Sequence, residues 1–113
     1  MKRRTSSAVF AQRVVEGFDD GGASETIVIW VERKPGALWT VGRAVNPQHR
    51  RSEEPRREDY VFEGYELEDA IEQANATLRD DARVSELDGR DAPAVPFARE
   101  ELLRPLERWF FGR

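Results

Sequence analysis

The 113-residue sequence contains no cysteine and only one histidine, and both shortages restrict its chemistry. Without thiols the chain has no disulfides, no thiolate metal ligands and no cysteine nucleophile. His49 lies in a charged stretch, without the clustered partners that a metal site or a general base requires. No glycine-rich phosphate-binding motif occurs either. We therefore expect a protein that is not an enzyme and that has no cofactor and no metal site.

Long apolar runs are also missing, which bears on where the protein resides. No stretch approaches the ~20 apolar residues that a membrane-spanning helix needs. The basic start of the sequence lacks the apolar region of a secretory signal. The absence of cysteine fits a reducing compartment. We expect a cytoplasmic protein with no membrane partner.

Charged residues are abundant, at 35% of the chain, against 39% apolar residues and a net charge of −4. The apolar residues are clustered and periodic, which indicates a folded core inside a charged shell. Residues 1–65 carry 11 basic and 10 acidic side chains, whereas residues 66–113 carry 7 basic and 12 acidic ones. The acidic half repels a polyanion, so nucleic acid is disfavoured as a partner.

The hydrophobic pattern predicts four strands followed by two helices. The predicted strands are residues 8–15, 26–33, 38–45 and 60–65, and the predicted helices are residues 66–80 and 97–111. Pro105 lies inside the second helix, where it either kinks the helix or starts a fresh turn. The predicted fold is α+β, a four-stranded antiparallel meander followed by two C-terminal helices packed on one face.

The chain length fits one domain, residues 1–113. Within it the composition predicts three irregular segments. Residues 1–7 form a flexible N-terminus, residues 46–59 a mobile charged loop, and residues 88–96 a linker between the two helices.

The central feature of the predicted sheet is a hairpin around the turn Lys34-Pro35-Gly36-Ala37. Proline at the second position and glycine at the third suit a type II turn. If Lys34 and Ala37 pair across the turn, Trp30 lies opposite Val41. A slip of one residue would move every side chain of one strand to the other face.

This register assigns a role to each face of the hairpin. The aliphatic face, expected to pack against the helices, carries Ile27, Ile29, Val31, Leu38, Thr40 and Gly42. The candidate binding face carries Trp30, Glu32, Trp39 and Arg43. Such a face suits a stacked base or an aromatic ligand, a protein partner or a second subunit. In the alternative interpretation the tryptophans belong to the core, because the faces are inverted or a helix covers each side.

Part of the sequence resembles WGR domains. The resemblance rests on residues 38–43, 60–64 and 67–71 and covers about residues 26–80. In that family a strand carries a Trp-Gly-Arg signature, whose tryptophan and arginine contact DNA in members associated with DNA-damage signalling. Val41 stands where the signature has tryptophan, and only Gly42 and Arg43 match it. The resemblance implies a DNA contact by Arg43, with Trp39, two residues before Val41, as a substitute for the missing ring.

A second candidate surface is basic. Arginine side chains suited to phosphate contacts occur at Arg50, Arg51, Arg56 and Arg57. Acidic residues interleave with them, so a solvated loop that neutralises its own charge is the alternative.

A third candidate surface is the aromatic C-terminus. Its candidate partner contacts are Trp109, Phe110 and Phe111. Packing of this segment on its own sheet is one interpretation, and exchange with a partner subunit is the other.

These features favour a small non-catalytic protein-interaction or dimerisation module. The expected partner is another protein or a second copy of the chain. The alternative is a nucleic-acid-binding module that uses the Trp39 and Arg43 face together with the arginine-rich loop at residues 50–57.

Overall fold

A computed structural model describes residues 7–18, 21–49, 55–87 and 95–107, with the backbone alone for residues 82–87. The elements are strands β1 (Ala8–Phe18), β2 (Ser24–Lys34), β3 (Leu38–Val45) and β4 (Tyr60–Gly64), and helix α1 (Leu67–Leu87). Short 3-10 helices span Pro47–His49, Arg57–Asp59 and Arg99–Leu103. The strands form one antiparallel sheet in the order β1-β2-β3-β4. The predicted α+β meander is therefore confirmed, but the described residues contain one α-helix and not two.

The second strand lies at the centre of the sheet and is apolar on both of its faces. The run Ile27–Val31 is buried throughout, and four of its five residues are fully inaccessible. Strand β2 pairs with β1 on one side and β3 on the other. A β-branched run without polar alternation suits this position, because both faces of the strand lie against other parts of the protein.

The β2–β3 turn is longer by one residue than the sequence predicts. Gly36 and Ala37 both adopt positive φ, 86° and 64°, so Lys34 pairs with Leu38 across a three-residue loop. Trp30 consequently lies opposite Gly42 and not Val41. The predicted register is therefore wrong by one residue. Alanine seldom adopts a positive φ, so the sequence does not indicate that Ala37 belongs to the turn.

This shift places the side chains of β3 on the faces opposite to those predicted. Ile27, Ile29 and Val31 pack in the core beneath α1, as expected. Trp39 and Val41 lie in that same core, whereas the prediction placed them on the other face. Leu38, Thr40 and Gly42 share the opposite face with Trp30, so their predicted packing against the helices is wrong.

Helix α1 covers one face of the sheet with the apolar stripe that the sequence predicts. Ala70, Ala74 and Leu78 are buried, and Leu67 and Ile71 pack against the same core. The two alanines allow the helix backbone to approach the sheet closely. Acidic side chains in the first turn favour the positive end of the helix dipole.

The predicted second helix, residues 97–111, is wrong over the part that the structure describes. The 3-10 helix Arg99–Leu103 ends at Arg104, which is extended at φ −145° and ψ 139°. The residue before a proline is disfavoured from helical conformations, so Pro105 stops the helix at this point. Beyond it, the backbone N–H of Leu106 donates a 2.7 Å hydrogen bond to the carbonyl oxygen of Val9 in β1.

Two of the three predicted irregular segments fall largely outside the described residues, and the third is described at both ends. Of residues 1–7 only Ser7 is described, and of the linker at 88–96 only Val95 and Pro96. The described ends of the 46–59 loop contain the two 3-10 helices Pro47–His49 and Arg57–Asp59.

A second, smaller cluster lies on the sheet face away from α1. It consists of Val9, Val28, Trp30 and Ala44, with Tyr60 packed against it. The indole of Trp30 lies directly over Gly42 on the neighbouring strand, where a Cβ atom would overlap the ring. The sequence predicts Gly42 on the face that packs against the helices, but in the structure it lies on the other face and makes room for this indole.

We expect Gly42→Ala to destabilise the protein by about 1–3 kcal/mol, the usual cost of overpacking a filled core. The ring of Trp30 is fully buried, and a Cβ atom at position 42 would overlap its nearest ring atom. Chemical denaturation measures the change in the free energy of unfolding. The control is the same substitution in a Trp30→Leu background, where the cost should fall; an undiminished cost would contradict the packing.

Candidate functional site

The structure separates the four residues of the predicted binding face onto opposite sides of the sheet. Trp30 and Glu32 lie on the side away from α1, and Trp39 and Arg43 lie on the side of α1. A single surface made of these four side chains is therefore wrong, as a direct result of the register shift.

Glu32 is a buried carboxylate that organises the side of the sheet away from α1. Its Oε1 atom accepts hydrogen bonds from Nε1 of Trp30 at 3.0 Å and from the hydroxyl of Tyr60 at 2.7 Å. Burial and the neighbouring Glu32 raise the pKa of Tyr60 well above its ordinary value, so the phenol remains a hydrogen-bond donor. The ammonium of Lys34 lies 3.7 Å from the centre of the Tyr60 ring. These contacts join β2 to β4 across the intervening strand β3.

Trp39 and Arg43 contribute to the packing between the sheet and the helix. The ring of Trp39 is 8% exposed and meets Phe10 edge to face, with 5.2 Å between ring centres. Arg43 donates two 2.9 Å hydrogen bonds to the carboxylate of Asp81 on α1, and these raise the pKa of the guanidinium. In this conformation the buried ring of Trp39 is not available to stack on a base, and Nε and Nη2 of Arg43 are occupied by Asp81.

We expect Arg43→Ala to cost roughly 1.5–3 kcal/mol of stability, the range for hydrogen bonds to charged groups. The variant leaves the carboxylate of Asp81, which is 10% exposed, without its cation. Urea denaturation measures the loss. Arg43→Ala combined with Asp81→Ala should recover part of it, and a double variant that loses the full sum of the two single effects would show that the pair is not coupled.

The structure describes only some of the other residues that were predicted to contact a partner. The side chains of Arg56 and Arg57 are exposed at the 3-10 helix before β4, and the backbone N–H of Arg56 is held by Asp59 at 2.7 Å. The remaining predicted contacts lie outside the described residues: Arg50, Arg51, Trp109, Phe110 and Phe111. Phosphate binding by the arginines and partner binding by the aromatic end stay predictions.

Side chains of β1 and α1 together form a groove that holds the last described part of the chain. We define the C-terminal segment as residues 95–107, and the segment-binding groove as Arg13, Glu68, Asn75 and the backbone of Val9, which contact that segment. The segment crosses from α1 to the edge of β1. Two of its side chains, Phe97 and Leu102, are buried in the core beneath α1.

Arg13 makes the largest number of contacts with the C-terminal segment. Its Nε and Nη2 atoms donate to the carbonyl oxygens of Val95 at 2.7 Å and Pro96 at 2.9 Å. Its two Nη atoms also bind both carboxylate oxygens of Glu101, at 3.0 and 2.7 Å. The guanidinium lies 4.5 Å from the centre of the Phe97 ring. A planar fork of donors is needed to satisfy all these acceptors together.

Asn75 binds the backbone of the segment at Phe97. Its Oδ1 accepts the N–H of Phe97 at 2.7 Å, and its Nδ2 donates to the carbonyl oxygen of the same residue at 3.1 Å. One side-chain amide therefore satisfies both backbone groups of a residue whose ring is buried. An extended chain outside a sheet needs such partners, because its backbone groups otherwise lose hydrogen bonds on leaving water.

Two further contacts stabilise the docked segment, one with α1 and one within the segment. Arg99 forms an ion pair with Glu68 on α1. Glu101 also accepts the backbone N–H of Ala98 at 3.0 Å, within the segment itself. The pKa of Glu101 lies below its ordinary value, chiefly because Arg13 donates hydrogen bonds to the carboxylate.

Sequence reasoning did not single out the groove, although one of its residues left a signal. Arg13 shares a strand face with Ala11 and Val15, and both of these are buried. A cation among inward-facing apolar residues needs anionic or carbonyl partners, so its position pointed to such a site. Asn75 carried no comparable signal.

Within the described residues, no three histidine or acidic side chains lie close enough together to hold a metal ion. In the same part of the chain, no helix combines the length and apolar character needed to cross a membrane.

Comparison with family models, curated proteins and solved structures returned no significant match. The resemblance to WGR domains stays a prediction, and the groove is the feature from which function is argued.

We expect the stabilising effect of Glu101 to depend on pH. Because its folded pKa is lowered, the contribution is fully present above the ordinary glutamate pKa and is lost as the pH falls through the lowered value. Denaturation across a pH series should show Glu101→Gln less stable than wild type near neutrality, with the difference shrinking in acid. Glu100→Gln, an exposed neighbour, is the control; a difference for Glu101→Gln that does not change with pH would contradict the pairing.

Proposed function

We propose that the protein is a non-catalytic protein-interaction module whose working surface is the segment-binding groove. The supporting observation is the pairing of Asn75 with both backbone groups of Phe97. This contact recognises an extended chain through its backbone and leaves the adjacent side chain to fill a core pocket. Peptide-recognition sites combine these same two elements, backbone hydrogen bonds for affinity and side-chain pockets for specificity.

The groove also discriminates among side chains. Phe97 enters the core, Arg99 meets the acidic Glu68, and Glu101 meets Arg13. A matching segment therefore has phenylalanine, a basic residue two positions later and an acidic residue four positions later. Opposite charges at the last two positions would be repelled, so the groove has both attractive and repulsive means of selection.

The groove is filled by the chain's own segment, which competes with any other ligand. A tethered segment has an effective concentration in the millimolar range when the connection is short and flexible. An interaction through this groove therefore requires that the segment be released or exchanged.

The test is binding of a synthetic peptide of residues 95–107 to the full chain after cleavage at a protease site inserted in residues 88–94. We expect a fluorescently labelled peptide to replace the cleaved segment, with a rise in anisotropy. Asn75→Ala should weaken this binding roughly 5- to 150-fold, because two backbone groups of Phe97 lose their partner.

Thr77→Ala is the matched control on the same helix, because the Thr77 hydroxyl bonds only the carbonyl of Gln73 one turn earlier. This variant should bind the peptide as tightly as the parent protein. The proposal fails if the cleaved protein does not take up the peptide, or if Asn75→Ala binds it with unchanged affinity.

A further inference from the structure

The C-terminal segment leaves several apolar side chains exposed after it has docked. Val95 is 68% exposed, Leu103 76% and Leu106 38%. Leu102, next to Leu103, is buried in the core. The segment thus buries Phe97 and Leu102 in its own protein and leaves these other apolar side chains exposed, where a further surface can cover them.

We propose that the partner of the groove is the C-terminal segment of a second copy of this chain, so that two chains exchange residues 95–107 reciprocally. The inference rests on the proposed function and names its partner. Each copy carries one groove and one segment, so the exchange satisfies both copies and closes at two with two-fold symmetry.

The contacts that hold the segment do not depend on how it is connected to α1. The hydrogen bonds of Arg13 and Asn75, the Arg99–Glu68 ion pair and the insertion of Phe97 are all reproduced when the segment comes from another copy. The balance between monomer and dimer therefore depends on the connection and on any new surface that is buried. The exposed apolar side of the segment supplies such a surface near the place where the two chains cross.

The connection is long enough for exchange. Seven residues, 88–94, separate the end of α1 from Val95. Fully extended, a connection of this length reaches roughly 25 Å. This reach is comparable with the shortest dimension of the protein, 23 Å, which is the scale of the separation between neighbouring copies.

A second copy fits the groove better than an unrelated protein does. A foreign peptide must displace a segment that is held at high effective concentration and must gain more than that segment loses. A second copy replaces each contact by an identical one, so no groove is left empty. Its segment also carries the required phenylalanine, basic and acidic residues at the matching positions.

The experiment mixes two full-length variants that are each defective in a different half of the contact. Arg13→Glu damages the groove but keeps a native segment, and Glu101→Arg keeps a native groove but damages the segment. Alone, each variant lacks the native ion pair between Arg13 and Glu101. Mixed, the groove of the second and the segment of the first form one native pair, and this pair exists only between chains.

We expect the mixture to show twice the 13.0 kDa mass of one chain by light scattering, at concentrations where each variant alone shows the monomer mass. If only one variant is tagged, the untagged chain should be retained with it on affinity resin. The control mixture is Arg13→Glu with Asn75→Ala, in which both grooves are damaged and retention should fall to background.

A second pair of variants avoids the core entirely. Glu68→Arg and Arg99→Glu change an exposed ion pair, so both should fold, and their mixture restores opposite charges at both junctions. We expect a smaller gain of dimer in the same direction, since exposed ion pairs contribute less than about 1 kcal/mol.

Exchange is overturned if both complementary mixtures stay monomeric, or if the control mixture retains as much untagged chain. If the mixtures stay monomeric but the labelled peptide binds to the cleaved protein, the second copy is rejected as the partner and the proposed function stands. When the peptide also fails to enter, both proposals are rejected together.

Discussion

The left-handed conformation of Ala37 is the constraint on which the rest of the structure depends. It adds a third residue to the β2–β3 turn and so decides which side chains of β3 meet the helix. Trp39 enters the core beneath α1, Arg43 reaches Asp81, and Gly42 makes room for Trp30 on the other side. With the shorter turn, each of these side chains would lie on the opposite face.

Arg13 and Asn75 position the C-terminal segment against the sheet and helix α1. The C-terminal segment has too little regular structure to satisfy its own backbone, and these two side chains supply the missing partners. The segment in turn contributes Phe97 and Leu102 to the core. The groove and the segment therefore stabilise each other, and any change that loosens one also exposes apolar surface on the other.

Hydrophobic periodicity was sufficient to predict the four strands and the apolar stripe of α1, and the order of these elements indicated the antiparallel meander. The inward face of β2 was predicted instead from its aliphatic residues, because both faces of that strand are apolar. The register was not predictable, since nothing in the local pattern shows that Ala37 takes a positive φ. The second helix was predicted from a stripe of leucines and aromatic residues, with Pro105 as a kink or a fresh turn, whereas the conformation of Arg104 before this proline ends the helix. The partners of Arg13 in the C-terminal segment lie more than 80 residues away, beyond the reach of any local pattern.

The hydrogen bond from Leu106 to Val9 has a consequence for the solubility of the protein. Strand β1 is an edge of the sheet, and an uncovered edge offers backbone groups to which other chains can add as further strands. By lying against β1, the C-terminal segment occupies part of that edge. A chain whose segment has been lost to proteolysis would carry a bare strand next to an emptied core pocket, two features that promote aggregation. The contact of Leu106 that helps to dock the segment thus also covers the sheet edge at Val9.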